Sequence, residues 1–196
     1  MKVFVTGSSG FIGFHLSKKL LEKGHSVHGF DSMNKYYDVK IKKARLKILK
    51  KYKKFSFTKN KLENKKTLSK SISKFKPTTI IHLAAQAGVR YSIENPKAYM
   101  DSNIIGTYNI IELGKKIRIK HLLIASSSSV YGANKKLPFT EIDKTETQLS
   151  LYAATKKSTE SIAHSYSNIL KIPITMLRFF TVYGPWGRPD LSLIHI

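Results

Sequence analysis

The stretch Lys2-Val3-Phe4-Val5-Thr6-Gly7-Ser8-Ser9-Gly10-Phe11-Ile12-Gly13, with Leu16, Leu20 and Leu21 beyond it, decides the fold. Its first residues form a short apolar run, the pattern of a buried strand. The leucines then recur at helical spacing until Gly24 stops them. Three glycines spaced GxxGxxG lie between strand and helix. A strand, a glycine turn and a helix N-terminus, in that order, make a phosphate site for a dinucleotide. Gly7 permits the tight turn, Gly10 lets a pyrophosphate approach the main chain, and Gly13 lets the helix pack on the sheet. A glycine triplet alone also describes an ordinary turn. The flanking strand and helix turn the reading towards a cofactor.

Working outward, Ser26-Val27-His28-Gly29-Phe30 predicts a second strand ending at Asp31, 18 residues after Gly13. A carboxylate at that distance meets the adenosine ribose and repels a 2′-phosphate, which favours NAD over NADP. Further strands are predicted over residues 55–58, 79–83, 121–125 and 174–178. Helices are predicted over 40–54, 62–75, 96–116 and 151–170. The helix over 40–54 would bury Ile41, Ala44, Ile48, Leu49 and Tyr52 and turn its lysines to solvent. Alternating β and α elements with apolar strands argue for a doubly wound parallel sheet. His82 falls inside an apolar strand and reads as a core histidine. Ala84, Ala85, Gln86, Ala87 and Gly88 follow it as a turn of mostly small residues that a flat ligand could approach.

The chain has 196 residues and a formal net charge of +23, with 41% hydrophobic residues and no cysteine. That composition fits one globular domain without disulfide or thiolate chemistry. It suits a reducing, cytoplasmic setting. No apolar run is long enough to span a membrane. Residues 35–76 hold 16 lysines and one arginine against Asp38 and Glu63, so most of the charge sits there. A basic stripe can bind nucleic acid. Specific readers, however, rely on the bidentate fork of Arg, and the chain has few. The lysines therefore read as a solvated face that attracts anionic small molecules, with neither nucleic acid nor membrane expected as a partner.

Tyr152-Ala153-Ala154-Thr155-Lys156 places a phenol and an ammonium one helical turn apart. A free Tyr has a pKa near ~10, and lowering it to about 7 requires roughly 4 kcal/mol of preference for the phenolate. A neighbouring Lys and a cationic nicotinamide supply preference of that sign. The product is a general base for a sugar hydroxyl. The serine run Ser126-Ser127-Ser128-Ser129 ends a predicted strand 25 residues before that Tyr, at the sheet edge where open parallel sheets bind ligands.

These segments resemble the extended short-chain dehydrogenase/reductase family, in its NAD-dependent nucleotide-sugar epimerase branch, nearest to the UDP-glucuronate 4-epimerases. The resemblance lies in residues 6–13, in DSMNKYYD (31–38), HLAAQAGVRYSIENPKAYMDSNIIGTYN (82–109) and ASSSSVYG (125–132), in YAATK (152–156), and in LRFFTVYGPWGRPD (177–190). It implies a Rossmann domain over 1–190 with NAD as cofactor. Gly7, Gly10, Phe11, Ile12, Gly13 and Asp31 would hold the adenosine and pyrophosphate. Leu83, Ala84, Ala85, Gln86 and Asn103 would line the nicotinamide half. Ser127, Tyr152 and Lys156 match the catalytic group, and Tyr152 and Lys156 also border the cofactor. Ser128, Ser129, Thr181 and Arg188 match substrate-facing positions, where Arg188 would hold a sugar carboxylate.

The implied reaction is reversible epimerisation at C4 of a UDP-sugar, UDP-glucuronate to UDP-galacturonate, through a 4-keto sugar. A UDP-glucose 4-epimerase type, or a cofactor-binding fragment without turnover, are the alternatives. The related 4,6-dehydratases carry Asp and Glu directly after the catalytic Thr. Ser128 and Ser129 stand there in this chain, against dehydration. Lys61 replaces an Asp that accepts from the adenine amino group in the family. No metal site is implied, and helices starting at Pro96 and Leu151 would pair two subunits. Residues 191–196 do not resemble the family. The chain is therefore expected to stop short of the C-terminal sugar-binding domain and to lack turnover by itself.

Overall fold

A computed structural model describes residues 1–187 and Pro189. Six parallel strands form one sheet in the order β3-β2-β1-β4-β5-β6. They are β1 (Lys2–Thr6), β2 (Ser26–Asp31), β3 (Phe55–Lys59), β4 (Thr79–His82), β5 (His121–Ser127) and β6 (Ile174–Phe179). The long helices are α1 (Phe11–Glu22), α2 (Val39–Leu49), α3 (Lys65–Phe75), α6 (Gly106–Lys116) and α7 (Leu151–Leu170). The short turns α4 (Tyr91–Glu94) and α5 (Pro96–Tyr99) precede α6. This is the doubly wound Rossmann arrangement expected from the strand pattern.

The two-residue period of the strands divides the core. Phe4, Phe30, Ile80, Leu122 and Ile124 face one side, with Leu68 and Ile72 of α3, Ile110 and Ile111 of α6 and Ala163 of α7. Val3, Val5, Val27 and Ile81 face the other, against Phe14 and Leu21 of α1 and Leu49 of α2. Covering both faces explains why the strands read as continuous apolar runs rather than as alternating ones. Each buried Phe or Ile contributes about 1.5–3 kcal/mol relative to exposure.

The chain reverses direction across the sheet between β1 and β4, which are neighbours although two strands intervene in sequence. The loops beyond the carboxyl ends of these two strands line one cleft, at the position where open parallel sheets bind ligands.

Four expectations need correction. Residues 96–116 are not one helix: Met100–Ile105 forms a π-helical turn between α5 and α6. The widened turn carries Asn103 inward, where its amide finds buried partners. The helix expected over 40–54 ends at Leu49, and the Lys50 and Lys51 amides close its last turn on Leu46 and Ile48 carbonyls. Nor is α2 a purely solvated lysine helix, because Lys42 and Arg45 are buried on it. The helix expected from Leu62 begins at Lys65, where the Asn64 side chain accepts from the Thr67 amide.

Candidate active site

One cleft of about 1110 Å³ runs along the carboxyl ends of the strands. Gly7, Gly10, Phe11 and Ile12 line one part of it, with Asp31, Lys42, Lys61 and Glu63. Leu83, Ala84, Ala85 and Gln86 line the middle. Ser127, Ser128, Ser129, Tyr152, Lys156 and Thr181 complete it. Residues separated by as many as 174 positions in the sequence thus share one surface.

The glycine loop is shaped by close backbone contact. Gly7 has φ +70°, and a Cβ there would lie 2.8 Å from the Ala84 nitrogen. Gly13 does not line the cleft; a Cβ on it would lie 2.1 Å from the Gly7 carbonyl oxygen, so its absence lets α1 seat on the loop. Helix α1 starts at Gly10 with no side-chain cap and no acidic residue in its first turn. Its N-terminal amides are left for an anion, and the helix dipole has the matching sign.

Asp31 is buried at the end of β2. Its Oδ2 accepts from the Ser9 amide at 3.0 Å and its Oδ1 from the Met33 amide at 2.8 Å. Burial pushes its pKa up, while those amides and the nearby Lys42 and Arg45 cations pull it down. Lys42 was not anticipated at this site. Its ammonium donates to the Asn34 carbonyl at 2.8 Å and to Asn34 Oδ1 at 2.5 Å, and it lies over the Tyr37 ring. Its only sequence signal was its place on α2 one turn after Asp38. Lys61 is exposed at the cleft, where its ammonium lies 3.6 Å from Glu63.

The catalytic candidates come from β5 and α7. Ser127 ends β5, and its hydroxyl donates to Ser129 Oγ at 3.2 Å while accepting from the Ser129 amide. Ser150 caps α7 by accepting from the Ala153 amide at 3.1 Å, which orients the first turn carrying Tyr152. The Tyr152 ring meets Tyr99 edge-on, with centroids 6.1 Å apart. Tyr99 is fully buried and its hydroxyl donates to the Ala87 carbonyl at 2.9 Å and to the Gly88 carbonyl.

Lys156 is 6% exposed, and its ammonium donates to the Ala125 carbonyl at 2.9 Å. Burial lowers its pKa to about 8, opposed by Glu160 one turn on. Glu160 belongs to a network that sequence reading missed. Its Oε1 accepts from Ser126 Oγ at 2.6 Å and Arg178 Nε at 3.0 Å, and its Oε2 accepts from Arg178 Nη2 at 3.0 Å. The spacing Lys156–Glu160 on a helix was the available signal.

Asn103 does not line the cleft. It is 1% exposed and acts from behind, accepting from the Gln86 amide at 2.8 Å and donating to the Gln86 carbonyl and to Thr155 Oγ1. It thereby joins the small-residue turn to α7. His82 is the core histidine expected: it sits between Thr6 Oγ1 at 2.7 Å and Thr107 Oγ1 at 3.0 Å, and burial first, then Lys156, lowers its pKa to about 3. Arg188, Asp190 and residues 191–196 lie outside the described residues. Among the described residues no cluster of side chains could hold a metal ion, and no helix is long and apolar enough to cross a membrane.

A glycine loop on an uncapped helix, a buried carboxylate at the end of β2 and the Ser127, Tyr152 and Lys156 side chains thus share one cleft. The sequence profile of the GDP-mannose 4,6 dehydratase family matches residues 4–193. The chain belongs to that family. Within it, the chain is 54% identical to the probable UDP-glucuronate 4-epimerase of Rhizobium meliloti over 98% of its own length and 57% of the relative's. It is 56% identical to protein CapI of Staphylococcus aureus, over 98% and 58%. Its structure resembles that of UDP-glucuronic acid 4-epimerase from Bacillus cereus in complex with UDP-glucuronic acid and NAD. The two share 36% identity at a TM-score of 0.91, over 98% of this chain and 60% of that one. The chain thus spans less than two thirds of the length of these family members.

Proposed function

We propose that this chain provides the cofactor-binding and catalytic half of an NAD-dependent epimerase that interconverts UDP-glucuronate and UDP-galacturonate at C4. The observation that carries the reading is the single cleft shared by the glycine loop, the Ser127, Tyr152 and Lys156 side chains and Thr181.

The residues present fit NAD. The uncapped start of α1 offers unsatisfied amides to a pyrophosphate, with Gly7, Gly10, Phe11 and Ile12 beside it. Asp31 takes the adenosine ribose, and Leu83, Ala84, Ala85 and Gln86 flank the nicotinamide half, held from behind by Asn103. When bound, NAD supplies a hydride acceptor and donor.

Tyr152 takes the proton from the sugar O4 and returns it. Lys156, with a pKa of about 8, is mostly protonated at neutral pH, and its positive charge favours the phenolate. Ser127 offers its hydroxyl to the same oxygen. Thr181 and Arg188 match family positions that face the sugar's acid group, for which a guanidinium has the matching bidentate geometry. With Ser128 and Ser129 where an acid and a base would stand, nothing there expels a 6-hydroxyl, which favours epimerisation over dehydration. We place the enzyme in the cytoplasm as a homodimer. Met100, Ile105 and Tyr108, exposed on the π-helical turn and α6, suit a subunit contact.

The deciding experiment uses the chain extended to the length of its relatives. It is incubated with UDP-glucuronate and NAD, and nucleotide sugars are separated by chromatography. UDP-galacturonate should accumulate to a constant ratio. Absence of product, with no NAD bound to the protein, would overturn the proposal.

A further inference from the structure

Arg45 is fully buried in the middle of α2, yet among the described residues no carboxylate lies within ion-pair distance of it. The two terminal nitrogens of its guanidinium donate to four oxygens from three separate segments, while Nε has no hydrogen-bond partner among the described residues. One terminal nitrogen donates to the Ser9 carbonyl at 3.1 Å and to the Tyr37 hydroxyl at 2.8 Å. The other donates to the Trp186 carbonyl at 2.5 Å and the Gly187 carbonyl at 3.2 Å. Ser9 lies in the glycine loop, and its amide is already held by Asp31. Its main chain is therefore clamped from both sides. Trp186 and Gly187 belong to the segment that follows Thr181 and leads to residue 188.

That segment has a demanding backbone. Gly184 has φ +142°, and Trp186 has φ +63°, a left-handed conformation that a residue with a side chain adopts only when its surroundings impose it. Three successive carbonyls do the imposing: Pro185 accepts from His15 Nε2 of α1 at 2.8 Å, and the next two accept from Arg45. The indole lies 5.9 Å from the Phe14 ring.

We infer that Arg45 is a positioning residue: it fixes the segment approaching residue 188 relative to the glycine loop. The inference rests on the reading that this segment faces the sugar. Arg suits the task because its planar fork reaches oxygens on two sides at once. A Lys, with its donors on one atom, cannot span from Ser9 to Gly187.

Trp186 is the only tryptophan in the chain and serves as the reporter. Arg45→Met should raise acrylamide quenching of its fluorescence about twofold and add a fast component to its anisotropy decay, measured well below the unfolding temperature. Arg45→Lys should not rescue either signal. A residue that only stabilises the fold would lower the melting temperature and leave both signals unchanged in the folded protein. That result, or full rescue by Lys, overturns the inference. His15→Ala, at an exposed position, covers the case in which the Arg45 variants do not fold. With Arg45 present, quenching should stay within about 1.3-fold of the parent, and a twofold rise would assign the positioning to His15 instead. Calorimetric titration with NAD on the same proteins separates the two readings. Failure of the unaltered chain to bind NAD counts against the proposed function, and the Trp186 signals decide the role of Arg45 regardless.

Discussion

Replacing Glu160 with Met removes the acceptor that Arg178 and Ser126 share behind Lys156. Glu160 is 8% exposed and the Arg178 side chain 19%, so the pair is largely shielded from water. Breaking a buried pair by deleting one partner costs 3–5 kcal/mol, because the other charge stays behind unpaired. Arg178 keeps the Glu141 carbonyl at 3.2 Å and the Tyr131 ring at 5.0 Å, so the low end, about 3 kcal/mol, is expected. For a chain of this length each kcal/mol moves the melting temperature by ~2–4 °C, giving a fall of roughly 6–12 °C. Adding Arg178→Met removes the stranded charge. The Glu141 carbonyl, on an exposed residue, turns to water, and the Ser126 hydroxyl is the buried group left without its partner, worth about 1 kcal/mol and a fall of ~2–4 °C from the parent. Thermal unfolding followed by circular dichroism on the parent, both single variants and the double variant measures the cycle. A double variant that falls by the sum of the single losses would refute the reasoning, since it would mean the two side chains act independently.

Three further outcomes follow from the same geometry. Calorimetry should find NAD binding far tighter than NADP, and Asp31→Ala should narrow the gap; equal affinities in the parent would remove the ribose role of Asp31. In a chain of family length, Tyr152→Phe should leave NAD affinity nearly intact and cut turnover by roughly 10²–10⁴-fold, read by product chromatography, and retained turnover would assign the proton to another group. Because the folded pKa of Lys156 is lowered from 10.5 to about 8, the unfolded chain binds more protons between those values, and stability of the cofactor-free protein should rise with pH across that window. The gain approaches ~3 kcal/mol by linkage, and urea unfolding of Lys156→Met should lack that part of the slope.

The sequence alone determined the sheet. Apolar runs such as Lys2–Thr6 and His121–Ser127 are buried on both faces, and that burial is written directly in their composition. The glycine spacing, Asp31 and the Tyr152–Lys156 turn were legible because they are local: a few residues in one element carry the whole signal. The core role of His82 was legible too, because its neighbours along the strand are apolar. Four features were decided only by tertiary structure. Lys42 and Arg45 looked like two more cations in a lysine-rich helix, and the approach of residues 9, 34, 37, 186 and 187 gives their charges partners. Asn103 turned inward through a π-helical turn, an extra residue that helical periodicity hides. Glu160 gained meaning from Ser126 and Arg178 on two neighbouring strands. The physical reason is common to all four. A buried polar group must be satisfied by whatever the fold brings to it, and those partners lie on segments up to 142 residues away in the chain.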